Sequence, residues 1–145
     1  MILGVGVDIV KTSRFLSWEK DEKLILRFFA KEEADYIRSK KTLAHLSLAS
    51  HFAAKEAYGK ALGCGLKGMA LKDISVYFDE GRPKLKLENN AKTLFEKIGG
   101  KAIHLSLSHE NDNAIAFVIL EGWRLSLFGM GSWGEPPQEL FFFNP

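Results

Sequence analysis

HFAAKEAYGKALG, residues 51–63, is the composition of a helix made to be surrounded. Ala53, Ala54, Ala57 and Ala61 favour helix and add almost no bulk, while Phe52, Tyr58 and Leu62 bring apolar surface. The pattern extends back to Leu43, and Gly63 is a natural left-handed stop, so the spacing predicts one long helix over 43–62. At 100° per residue, Ala49, Phe52, Ala53, Glu56 and Lys60 share one side. Leu48, Tyr58 and Leu62 cover much of the other, which calls for packing on several sides and places the helix at the centre of the fold. Glu56 and Lys60 are the anomaly in such a segment. Two readings are open: an ordinary i,i+4 ion pair worth a few tenths of a kcal/mol, or a site. Ala49, Ala53 and Ala57, small neighbours that leave room around the carboxylate, favour the second.

Upstream, ILGVGVDIV (residues 2–10) is β-branched and of strand length. Alternation puts Leu3, Val5, Val7 and Ile9 on one face and Gly4, Gly6, Asp8 and Val10 on the other. The paired glycines leave that second face bare, so another segment can approach the backbone there. Residues 12–29 have roughly helical spacing with Thr12 or Ser13 as N-cap, and residues 30–41 form a second helix with acids early and bases late. Downstream, alternation at Ile74, Val76 and Phe78, the turn DEGRP, and alternation at Leu85 and Leu87 predict a hairpin. Residues 89–100 read as a capped helix ending on glycine. AIHLSLSH and AIAFVIL are two strands joined by the turn ENDN. The expected class is α+β: a small antiparallel sheet packed with a long central helix and shorter helices. The expected domain is residues 1–121, with 122–145 an irregular tail of unknown role that ends in three consecutive Phe.

A chain of 145 residues with 46% hydrophobic and 26% charged residues suits one folded domain. A net charge of +2 gives no general signal for nucleic acid. Cys64 alone cannot form an internal disulfide or a multi-thiolate metal site. The N-terminus lacks a basic region and meets Asp8 almost at once, which excludes a signal peptide or a membrane span there and leaves a cytoplasmic location as the expectation. Gly63, Gly65 and Gly68 spell GxGxxG, as do Gly129, Gly131 and Gly134, but neither set follows a strand and opens a helix as a dinucleotide site requires. The four histidines lack a zinc-ligand spacing.

Asp8 has two readings, an N-cap for the segment that follows or a functional carboxylate at the end of a bare strand face. If the strand packs on the long helix, Asp8 and Glu56 present two hard oxygen ligands to one Mg²⁺. Such an ion completes its shell with waters and phosphate oxygens. Lys60, one turn from Glu56, then lies where a phosphate meets the metal. The residues alone therefore point to metal-assisted chemistry on a phosphate-bearing substrate.

GVGVDIV with Arg14 six residues after Asp8, FAAKEAYGKALGCGL, GRPKL, and HLSLSH followed by AIAFVI occur in that order, over about residues 1–120. In this the chain resembles the holo-acyl-carrier-protein synthases, small bacterial 4′-phosphopantetheinyl transferases. The resemblance implies transfer of 4′-phosphopantetheine from coenzyme A to a serine of apo-acyl carrier protein, releasing adenosine 3′,5′-bisphosphate. It implies that Asp8 and Glu56 bind Mg²⁺ and that Lys60 neutralises charge on the pyrophosphate. Gly81 and Pro83 match a turn near the adenine. His104, Ser106, Ser108 and His109 match a strand lining the 3′-phosphate end of the nucleotide. Arg14 matches a residue that engages the acidic carrier protein, and Lys55 matches the helix motif with a role at the core edge or an interface. Members of the family are homotrimers with active sites between subunits.

The chain departs from the family at His51, where an Arg is usual, and at Glu110, where a hydroxyl residue is common. Two other readings compete. One is a non-catalytic module that binds carrier proteins through Lys11, Arg14, Lys23 and Arg27. The other is a Mg²⁺-dependent nucleotide pyrophosphatase using the same Asp8–Glu56 pair.

Overall fold

The expected first strand forms as β1, Ile2–Lys11, and the expected long helix as α3, Ala44–Leu62, closed by Gly63 in the left-handed conformation at φ 79°. Both belong to a computed structural model that describes residues 1–110 and 112–123. The remaining elements are α1 (Glu22–Phe28), α2 (Lys31–Ser39), β2 (Ile74–Asp79), β3 (Arg82–Leu87), α4 (Asn89–Lys97), β4 (Gly100–Glu110) and β5 (Asn113–Gly122). β5 lies between β1 and β4 in an antiparallel three-stranded sheet, and β2 pairs with β3 in a separate hairpin. The β5 ladder runs one residue past the expected domain boundary at 121. Residues 124–145 of the expected tail lie outside the described residues.

The sheet has two unlike faces. Ala114, Ala116, Val118 and Leu120 of β5 are fully buried on the inner face, which α3 covers. Gly4 and Gly6 let the strand meet the helix backbone: a Cβ on either would fall 1.9 Å from the carbonyl oxygen of Ala61 or Ala57. The alanines of α3 are therefore spent on close approach. Ala49, Ala53 and Ala57 are 0% exposed, so they do not leave open room around Glu56 as the spacing had implied.

The segment after β1 differs from the expected continuous helix. Thr12–Phe15 and Trp18–Lys20 are 3-10 turns, and the true helix starts only at Glu22. Its cap is Asp21, whose Oδ1 accepts from Leu24 N at 3.0 Å, and neither Thr12 nor Ser13 caps it. Packing explains the change. The break between the two turns brings the last residue of the first, Phe15, and the first residue of the second, Trp18, together with ring centroids 5.0 Å apart. Phe15 also meets Phe52 at 5.4 Å, and Trp18 stacks on Phe28 at 5.5 Å. The turn between β4 and β5 is tighter than the four residues expected, since Glu110 and Asn113 already pair in the ladder.

Opposite β1, α3 meets α2 and β2 through polar groups. Lys55 is completely buried, not at the core edge. Its Nζ donates to Glu33 Oε1 at 2.7 Å, to Leu71 O at 3.0 Å and to the Ile74 carbonyl. Burial alone would raise the Glu33 carboxyl, but His51 and Lys55 hold it below its ordinary value. Burial lowers the Lys55 amine against the pull of Glu33 and Asp73. His51 stacks on Tyr36 with ring centroids 5.6 Å apart and is an enclosed imidazole.

Candidate active site

Asp8 projects from the inner face of β1, where Gly4 and Gly6 have drawn the strand onto α3. Lys60, on the last turn of that helix, donates to Asp8 Oδ1 at 2.7 Å and to Val7 O at 3.1 Å. The ion pair at this site is thus Lys60 with Asp8. The described contacts include no Glu56–Lys60 bridge, so the helical pairing raised by their spacing is not the arrangement adopted. Neither is Asp8 an N-cap: the turn that follows it has no side-chain cap.

Glu56 is half-buried one turn before Lys60. Burial first, and then repulsion from Asp8, hold its carboxyl above the ordinary glutamate range, against Lys60 and Arg14. A carboxyl held up by a neighbouring carboxylate marks a place where a cation is favourable. Among the described residues no group of three or more His, Cys, Asp or Glu gathers, so any ion here would draw further ligands from water or substrate. The donor set is hard oxygen, of the kind that suits Mg²⁺. The Asp8 side chain is 14% exposed and that of Lys60 43%, so the lysine is the more open of the two to solvent.

Arg14 stands at the rim, its guanidinium 5.9 Å from the Phe15 ring centroid and 6.0 Å from that of Phe52. The remaining expected residues fall elsewhere. Gly81 takes the left-handed conformation at φ 76° in the β2–β3 turn, and Pro83 begins to pair opposite Phe78. His104, Ser106 and Ser108 are exposed on β4, in register with Ile119, Phe117 and Ile115. Their parity puts them on the outer face of the sheet, away from α3, whereas Asp8 pairs with the buried Ala116 on the inner face. His104 Nε2 and Glu121 Oε2 are 2.8 Å apart there. His109 shares the inner parity but lies exposed at the end of β4. One chain therefore joins Asp8, Glu56 and Lys60, with Arg14 beside them, and leaves His104 and Ser106 across the sheet.

That outer face is bare and apolar. Val5, Val7 and Ile9 of β1 are 52%, 53% and 60% exposed, and Phe117 of β5 is 40% exposed. The alternation in ILGVGVDIV made this visible in principle, because the glycine face is the one that can lie against another segment and the face of Val5, Val7 and Ile9 is then left over.

The molecule has close relatives. The family model of the 4′-phosphopantetheinyl transferase superfamily matches residues 4–118. A holo-[acyl-carrier-protein] synthase of Treponema denticola is 55% identical over 123 residues, covering 84% of this chain and 100% of that protein. Among solved structures, the holo-[acyl-carrier-protein] synthase of Neisseria meningitidis superposes with a TM-score of 0.75 at 32% identity, covering 83% of this chain and 99% of the other. A Bacillus anthracis holo-(acyl-carrier-protein) synthase, solved in complex with CoA (3′,5′-ADP), does so with 0.70 at 32%, covering 85% and 99%.

Proposed function

Because the chain belongs to the 4′-phosphopantetheinyl transferase superfamily, we propose that Asp8, Glu56 and Lys60 are the chemical centre of its reaction. The enzyme transfers 4′-phosphopantetheine from coenzyme A to a serine hydroxyl of apo-acyl carrier protein, and adenosine 3′,5′-bisphosphate is the product released. The observation that carries the assignment is the convergence of Asp8, Glu56 and Lys60 where β1 and α3 touch.

Asp8 and Glu56 would hold Mg²⁺, which when bound supplies charge neutralisation for the pyrophosphate. Phosphoryl transfer needs positioning and electrostatic stabilisation more than covalent chemistry from the protein. Lys60 supplies a solvent-exposed positive charge beside that place, which would meet a phosphate oxygen of the substrate. The serine proton would pass to a water at this place, or through it to Glu56. Arg14, exposed at the rim, offers a fixed positive charge to an acidic carrier. No helix among the described residues is long and apolar enough to cross a membrane.

The two faces of the sheet support a homotrimer with shared sites. Gly81, Pro83, His104, Ser106 and His109 would serve coenzyme A, yet His104 and Ser106 sit across the sheet from Asp8. A neighbouring copy can supply what one chain cannot, and packing the bare face built from Val5, Val7, Ile9 and Phe117 gives the copies a reason to associate. Phe117→Arg is expected to leave a folded chain that elutes as a monomer and has lost most transfer activity. Gel filtration with circular dichroism checks this, and a folded, fully active monomer would refute shared sites.

The direct test of function incubates the protein with Mg²⁺, coenzyme A and apo carrier protein, then weighs the carrier. Loss of coenzyme A without a mass gain on the carrier would indicate hydrolysis instead. Carrier binding with neither mass gain nor coenzyme A loss would indicate a docking module.

Lys60→Met separates two effects of one side chain. The variant should turn over at least about 100-fold more slowly, the range seen when a single preorganised charge donor is lost. Without coenzyme A it should bind Mn²⁺ several-fold more tightly, because the ammonium no longer neutralises Asp8. Calorimetric titration of the free protein reads the second effect.

A further inference from the structure

Glu33 lies on α2, outside the site, and its carboxylate is fully enclosed. Oε1 accepts from Lys55 Nζ at 2.7 Å, and Oε2 accepts from Val76 N at 2.7 Å and lies 3.1 Å from His51 Nδ1. His51 and Lys55 are one turn apart on α3, so one carboxylate grips the same face of that helix at two levels and ties it to β2. Every buried side-chain nitrogen and oxygen among the described residues has a partner, so nothing in this cluster is left loose. Glu56 follows Lys55 directly, about 100° further round the helix, toward β1.

We propose that Glu33 is a positioning residue, its buried carboxylate fixing the roll of α3 about its axis and thereby the aim of Glu56 at Asp8. The inference rests on the reading of Asp8 and Glu56 as the metal-holding pair. Glycine contacts at Ala57 and Ala61 fix how near α3 lies to β1, on the C-terminal side of Glu56. The Glu33 grip lies on its N-terminal side and governs rotation. A side-chain head stands about 5 Å from a helix axis, so a roll of about 10° sweeps it about 1 Å. Metal–ligand distances tolerate only about 0.2 Å. A charge buried this far from solvent is costly to keep, and an ion pair in a core is weak evidence for stability alone. Control of a ligand's orientation gives it a function that packing would not.

The test measures Mn²⁺ affinity of the full chain by calorimetry, at a temperature where circular dichroism shows the variant folded. Glu33→Gln keeps the size and the acceptor for Val76 N–H but weakens the hold on Lys55. Its Mn²⁺ dissociation constant should rise about tenfold or more, as for loss of an outer-shell partner. The Mg²⁺ concentration for half-maximal rate should rise with it, while the rate at saturating Mg²⁺ recovers. Glu33→Asp, charged but one methylene shorter, should fall between. A merely structural role would lower the melting temperature and leave the affinity of folded molecules unchanged, and that result overturns the proposal. If Glu33→Gln does not fold, His51→Leu decides. It removes one of the two grips and keeps the buried ion pair, so a several-fold weaker affinity supports positioning and a wild-type value refutes it. Glu56→Gln serves as control. Wild-type Mn²⁺ affinity in that variant would mean that the metal assignment itself has failed, whatever the Glu33 variants do.

Discussion

Glu56→Gln leaves a folded protein that has lost transfer activity by more than about 100-fold, beyond what an outer-shell partner of a metal ligand costs. The substitution keeps the shape of the side chain, and Glu56 makes no described hydrogen bond that the fold depends on. It removes the charge that a hard cation requires. It also removes the repulsion between Glu56 and Asp8, so the fold should gain slightly rather than lose. Activity measured against Mg²⁺ concentration, with a thermal melt of each protein, checks both halves. Wild-type turnover at limiting Mg²⁺ would sink the two-carboxylate assignment. A collapsed melt would instead make Glu56 a structural residue.

Gly6→Ala should be the most damaging single methyl in the molecule. The added Cβ would stand 1.9 Å from Ala57 O and 2.7 Å from Ala61 N, both backbone atoms that cannot turn aside. Overpacking a core against flexible side chains costs about 1–3 kcal/mol, and here strand or helix must move bodily. We expect a loss of about 3 kcal/mol or more, at or beyond the upper end of that range. Any folded remainder should bind Mn²⁺ poorly, because Asp8 follows Gly6 on the displaced strand. Denaturant unfolding measures the first and calorimetry the second. A stable Gly6→Ala protein with normal metal affinity would show that the β1–α3 contact is looser than described.

The centre of this site was legible because its signals are local. Two glycines and a carboxylate at alternate positions of one strand, and a carboxylate and a lysine one turn apart on an alanine-rich helix, suggested a meeting place, although spacing alone left an N-cap and an ordinary ion pair open. What sequence spacing misplaced was the partnership of Lys60, since the i,i+4 rule sees only its own helix and Asp8 lies 52 residues away. The 3-10 turns after β1 were hidden for a similar reason. Their residues have tolerable helix propensity, and the aromatic cluster with Phe52 decides otherwise. Glu33 carried no signal at all in KEEAD, where an acid early in a helix reads as dipole compensation. Its burial arises only when Lys55 and Val76 are folded onto it. His104 and Ser106 matched the family motif, but their opposition to Asp8 needed the strand register.

The pairing of β1 with β5 also sets a schedule. Among the described residues β1 finds its ladder only on β5, and the Met1 amine donates to Gly122 O at 2.8 Å while Gly122 N donates to Met1 O at 3.0 Å. β1 thus waits for β5 to complete its ladder. Contacts of such long sequence separation close late in folding. A chain ending in β4 already contains Asp8, Glu56 and Lys60, and α3 for β1 to lie on, yet it lacks the strand that pairs with β1. The full seating of β1, and with it the placing of Asp8 beside Lys60, therefore depends on β5, the strand farthest from it in the described sequence.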